Sequence, residues 1–83
     1  MTIDRDTLEA TVLTLLRAVA PELDASALSM TQPLRRQVDL DSMDWLNFLV
    51  SLSERFGVSI PEADYAQLVS LGHVVDYLQA RVA

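Results

Sequence analysis

At 83 residues the chain is one small domain, and its 51% hydrophobic and 22% charged residues suffice for a modest core and speak against intrinsic disorder. Cysteine is absent and histidine occurs once, which excludes a disulfide framework, a thiolate nucleophile, Cys-ligated zinc and multi-histidine metal sites. Twelve acids against six arginines, with no lysine, leave a net charge of −6, a balance that argues against nucleic acid or anionic membranes and for handling by partner proteins.

The first predicted element is a helix from about Asp6 to Ala20. Asp6 and Glu9 have capping-box spacing, and Leu8, Val12, Leu15, Leu16 and Val19 form one apolar stripe. Pro21 ends it, because proline cannot continue the hydrogen-bond ladder. A long connection follows to Leu40, with apolar Leu23, Leu28, Met30, Leu34, Val38 and Leu40 that suit packing on a core. The second main helix runs from Ser42 to Phe56, with Asp41 as N-cap, Asp44 at capping-box spacing and Gly57 as C-terminal stop. Pro61 precedes a short helix near Glu62–Gln67. Ser70 caps a last helix with Leu71, Val74, Val75, Leu78 and Val82 on one face.

Two glycines and three prolines are too few for a turn-rich β domain, so the pattern predicts an all-α, four-helix bundle. It has three main helices, one short helix and a long first loop, within a single domain over residues 1–83. Met1-Thr2-Ile3-Asp4 lacks the basic start and apolar run of a signal peptide, and runs such as Phe48-Leu49-Val50 are too short to span a bilayer. A monomeric, cytoplasmic protein without membrane insertion is the expectation.

The second helix is more apolar than one core face requires. Trp45, Phe48, Leu49, Leu52 and Phe56 share one arc, which is the core face. Met43, Leu46 and Val50 form a second stripe; packing under the long loop and exposure as a docking surface flanked by acids are both open, and each can hold at different residues. Ser42 opens the same helix, where unpaired backbone amides and the helix dipole favour an attached anion such as phosphate. On composition alone, ordinary capping with Ser42 as a first-turn spectator is the stronger reading.

Asp41-Ser42-Met43-Asp44 resembles the attachment motif of acyl carrier proteins, usually Asp-Ser-Leu followed by an acid. Phe56-Gly57-Val58-Ser59-Ile60-Pro61 is similar to that family's Phe-Gly-Ile-x-Ile-Pro, and Val75-Asp76-Tyr77-Leu78 to its Val-Asp-Tyr-Ile. Three motifs in order at compatible spacing extend the resemblance over essentially the whole chain.

The resemblance implies that Ser42 is esterified by 4′-phosphopantetheine from metal-bound coenzyme A, through a phosphopantetheinyl transferase (holo-acyl-carrier-protein synthase). The chain would be a phosphoprotein and a carrier without enzymatic activity, holding acyl groups as thioesters and exchanging them with acyl-loading and acyl-transferring enzymes. Fatty acid, polyketide or related specialised lipid biosynthesis is the implied setting. Asp41 would support the motif. Met43, Asp44, Leu46, Asn47, Val50 and Glu54 correspond to partner-binding positions. Trp45, Phe48, Leu52 and Phe56 correspond to the acyl pocket.

This sequence departs from the family pattern in places. Asn47, Ser53 and Arg55 stand where Glu is common, and Arg35-Arg36 brings positive charge before the motif. Altered surface charge changes partner choice and encounter rate, which points to a specialised, stand-alone carrier. Trp45 occupies a position where small or polar residues are common. It suits core packing, and its bulk would also reduce or reshape an acyl pocket.

Other chemistries fit less well. Asp39, Asp41 and Asp44 suggest a calcium loop, but the glycine of that motif is replaced by Asp44 and its final glutamate by Val50. The residues around Ser42 lack the glycines of a nucleophile elbow, and the lone His73 is expected at the surface. A peptidyl or aryl carrier and an unmodified helical interaction module with the same fold are the alternatives.

Overall fold

The computed structural model describes residues 4–82. Met1–Ile3, read above for a targeting start, and Ala83 lie outside the described residues. Four α-helices occur in the order α1 (Arg5–Val19), α2 (Leu34–Gln37), α3 (Ser42–Phe56) and α4 (Leu71–Gln79). Two 3₁₀ segments, Ala25–Ala27 and Glu62–Gln67, lie in the connections. Among the described residues no helix is long and apolar enough to cross a membrane.

The helices form because each offers one apolar stripe to a shared centre. Leu8, Val12 and Leu16 of α1 meet Phe48, Leu49 and Leu52 of α3 and Leu71, Val74, Val75 and Leu78 of α4, all of them buried. Leu15 and Val19 pack at the margin of this core, as do Trp45, Phe56 and Val82. The α1 stripe is therefore narrower than its sequence pattern, and Val82 joins the core from beyond the end of α4.

Helix α1 starts one residue earlier than predicted. Its N-cap is Asp4, which makes no side-chain cap, and Asp6 sits in the first turn. An acid there still complements the helix dipole without the geometry of a capping box. Arg5 then ties α1 to α4 by donating to Asp76 at 2.8 Å and to Gln79 at 2.7 Å.

The long connection is a pinned strap rather than an open loop. Leu34 N–H donates to Val69 O at 2.8 Å and Gly72 N–H to Met30 O at 2.9 Å, so the strap is held to the start of α4 at both points. A Cβ on Gly72 would stand 3.0 Å from Met30 O, which makes this close approach a glycine position. The Gln37 side chain holds the strap from inside, accepting from Ser29 N–H at 2.6 Å and donating to the carbonyls of Ser29 and Gln32. Leu34, Val38 and Leu40 face inward, which is what the apolar residues of this stretch imply. Asp24 caps the first 3₁₀ segment, and hydrogen bonds from the Ser26 hydroxyl and amide hold its carboxyl below the usual range.

Candidate functional site

The start of α3 is built as the sequence implies. Asp41 is in an extended conformation, and its carboxylate accepts the Asp44 amide at 2.8 Å, while Trp45 N–H donates to the Asp41 carbonyl at 3.0 Å. Only one half of a capping box forms here. The complete box belongs to α4, where Ser70 Oγ accepts His73 N–H and His73 Nδ1 accepts Ser70 N–H. His73 is exposed, as expected.

With Asp41 performing the cap, Ser42 is free to do something else. It is exposed at the first helical position, and among the described residues nothing hydrogen-bonds its Oγ. The amides of Ser42 and Met43 lie beside it, without partners of their own in the helix. An anion there gains about 0.3–1 kcal/mol from the dipole, while the Asp41 and Asp44 carboxylates oppose it. That balance suits a phosphate held by a covalent bond better than one held by attraction alone.

The second stripe of α3 faces solvent. Met43 is 66%, Leu46 40% and Val50 43% exposed, so these side chains are not packed under the long loop. Asn47 and Glu54 are exposed beside them, and Asp44 is half-buried. On the opposite face, Phe48 and Leu52 are sealed in the core, whereas Trp45 and Phe56 are half-buried at its two ends. Trp45 leans on Phe48 with ring centroids 5.5 Å apart.

Trp45 also lines an open groove of about 570 Å³, with Leu40 and Leu68 in its wall, Tyr65 beside it and Arg35 and Arg36 as its charged residues. The sequence pattern does not place Tyr65, Arg35 and Arg36 beside Trp45. The helical register carried no signal for this, because they arrive from α2 and the second 3₁₀ segment. A separate cavity of about 500 Å³ lies between the end of α1 and the strap, and no residue of α3 lines it. Among the described residues no three acidic or histidine side chains converge as a metal site.

A family model described as a phosphopantetheine attachment site matches residues 10–78. The chain is similar to an acyl carrier protein of Campylobacter jejuni (strain 81-176), 32% identical over 56 residues that cover 68% of this chain and 73% of the relative. It is likewise 32% identical to an acyl carrier protein of Helicobacter pylori (strain 26695) over 63 residues, 74% of this chain and 81% of that one. The fold is similar to that of the Enterococcus faecalis acyl carrier protein, with a TM-score of 0.78 at 21% identity over 98% of this chain and 99% of the other. A solution structure from Anaplasma phagocytophilum, assigned to the same class, superposes with a TM-score of 0.81 at 24% identity over 96% and 93% of the two chains.

Proposed function

The chain belongs to the acyl carrier protein family, and on that premise we propose that Ser42 carries the 4′-phosphopantetheine arm on which acyl groups travel between partner enzymes. The observation that carries this reading is the free, exposed Ser42 hydroxyl at the start of α3, beside a neighbour that has taken over the cap.

In the modification, Ser42 Oγ bonds to the phosphorus of the pantetheine phosphate in coenzyme A. The bond from that phosphorus to the nucleotide phosphate breaks, adenosine 3′,5′-bisphosphate leaves, and the hydroxyl proton passes to the transferase or solvent. Asp41 holds the first turn of α3 in shape, so that Oγ projects outward. Once attached, the arm supplies the thiol that this cysteine-free chain lacks, and acyl groups ride on it as thioesters. The chain is thus a carrier and a substrate of enzymes, working as a monomeric cytoplasmic domain.

Met43, Leu46 and Val50 are the apolar contact for the phosphopantetheinyl transferase and for the enzymes that load and unload the arm. Asp44, Asn47 and Glu54 frame that contact, and Asp44 and Glu54 supply charge for steering toward basic partner surfaces. Trp45, Phe48, Leu52 and Phe56 bound the region that shelters the acyl chain, and Trp45 narrows it. The thin charge on α3 and the Arg35–Arg36 pair support a specialised lipid or polyketide role over the general fatty acid carrier.

Intact mass spectrometry after incubation with coenzyme A and a broad-specificity transferase tests the assignment, with Ser42→Ala as control. One arm's mass is expected on the wild type and none on the variant. An unmodified wild type would favour a helical interaction module instead. Loading by an amino-acid-activating enzyme but by no acyl-loading one would favour a peptidyl or aryl carrier.

A further inference from the structure

Arg35 and Arg36 are the unusual charges of this molecule. Arg5 pairs with Asp76, Arg81 lies 3.5 Å over the Tyr77 ring and donates to the Tyr77 carbonyl, and Arg55 lies over Phe56. Arg17 is exposed and, like Arg35 and Arg36, makes no ion pair or side-chain hydrogen bond among the described residues. It stands, however, in the last turn of α1, where it complements the helix dipole, and its charge acts on the Asp24 carboxylate. Arg35 and Arg36 are exposed, adjacent in a chain of net charge −6, and among the described residues neither makes an ion pair or a side-chain hydrogen bond. Helix α2 has only four residues, so its dipole gives little reason for two cations. Both side chains line the groove whose wall holds buried Leu40 and Leu68 and half-buried Trp45 and Tyr65. Trp45 stands three residues after Ser42 on α3, the spacing of side-chain neighbours on a helix.

We infer that this groove selects an acyl cargo ending in a carboxylate, with Arg35 and Arg36 receiving the carboxylate and Leu40, Trp45 and Leu68 the methylenes before it. The inference rests on the carrier reading of Ser42. A plain alkyl chain would satisfy the apolar wall and leave both guanidinium groups unpaired. A free inorganic anion would do the reverse. The planar, forked guanidinium matches the two oxygens of a carboxylate, and two arginines lining one groove favour a dicarboxylic half-thioester over its neutral counterpart. The groove is open, so the preference is that of solvent-exposed pairs and not of a buried one.

The test uses the holo protein loaded with either a glutaryl or a pentanoyl group, five-carbon probes that differ in the terminal carboxylate. Trp45 is the only tryptophan and reports on the groove by fluorescence, while thioester hydrolysis reports shielding. A glutaryl carboxylate can attack its own thioester, so each hydrolysis rate is divided by that of the same group on free pantetheine. On that basis the glutaryl form should be shielded about two- to fivefold more than the pentanoyl form, the range that one exposed ion pair supports, and should shift the Trp45 emission. Arg35→Gln/Arg36→Gln should erase that ratio, and so should about 1 M NaCl, where the screening length is about 3 Å. Equal behaviour of the two probes in the wild type, or a ratio that survives both the double variant and salt, overturns the inference. So does a double variant that keeps the ratio and slows only a partner enzyme, since the pair would then serve that partner. Failure of Ser42 to accept any arm overturns the carrier reading, and this inference with it.

Discussion

Tyr77 donates a 2.6 Å hydrogen bond to Asp64, joining α4 to the 3₁₀ segment that carries Tyr65 to the groove beside Trp45. Burial of the phenol, with that hydrogen bond to a carboxylate, pushes its pKa above the ordinary 10.0. A raised folded value means the contribution is complete below the unfolded pKa and is lost as pH rises through the folded one. Tyr77→Phe keeps the ring beneath Arg81 and removes only the hydroxyl. It should lower unfolding free energy by about 1.5–3 kcal/mol at neutral pH, the range for a hydrogen bond to a charged group. Urea unfolding as a function of pH checks both points: the wild type should lose more stability above pH 10 than the variant does.

Asp41 has two separable duties. Asp41→Ala should cost roughly 1 kcal/mol as a lost N-cap and should slow modification of Ser42. Asp41→Asn preserves the cap acceptor, so denaturant unfolding should show nearly wild-type stability. If the carboxylate also matters to the transferase, the modification rate of Asp41→Asn will fall while its stability holds. Equal loss of rate and stability across the two variants would reduce Asp41 to a structural cap.

The two faces of α3 should respond in opposite ways. Leu46→Ala and Val50→Ala touch half-exposed side chains and should change stability by no more than about 0.5 kcal/mol, the usual range for surface sites. Their kcat/KM as transferase substrates should fall several-fold if this stripe is the docking contact. Phe48→Ala, in the sealed core, should cost about 3–5 kcal/mol. Unfolding curves alongside steady-state modification kinetics separate the two classes. Undiminished kcat/KM for both surface variants would remove the stripe from the interface.

The same helix shows what a sequence can and cannot disclose. Its bounds, its Asp41 cap and its Gly57 stop are local chemistry, and all three were legible. Gly57 has φ +63° with nothing near a would-be Cβ, so its requirement is purely backbone, and Gly57→Ala should cost about 1–2 kcal/mol in a thermal or urea melt. Helix α2 has no periodic signature because Leu34–Gln37 is one turn long, and its place depends on Pro33 meeting Ser70 and Leu34 N–H meeting Val69 O, residues distant in sequence. The Gln37 clamp and the Tyr77–Asp64 bond are likewise long-range or loop contacts without a periodic signature. At the site, Ser42 and the exposed stripe could be read from one helix. The groove could not, since α2, α3 and the second 3₁₀ segment each supply part of its wall.

Trp45 sits where that groove meets the core, half-buried and tilted 42° against Phe48. Phe48 and Leu52 behind it are fully buried, so a long acyl chain would have to displace Trp45 to reach them. Close-packed interiors resist such insertion, with overpacking costs of about 1–3 kcal/mol. Trp45→Thr removes the ring and lowers that barrier. In holo forms carrying a short or a long saturated acyl group, amide chemical shifts of Leu52 and Phe56 should move little in the wild type with either chain. In Trp45→Thr they should move with the long chain, whose thioester should also become more resistant to hydrolysis. Identical long-chain shifts in wild type and variant would mean that Trp45 packs the core without limiting what the carrier shelters.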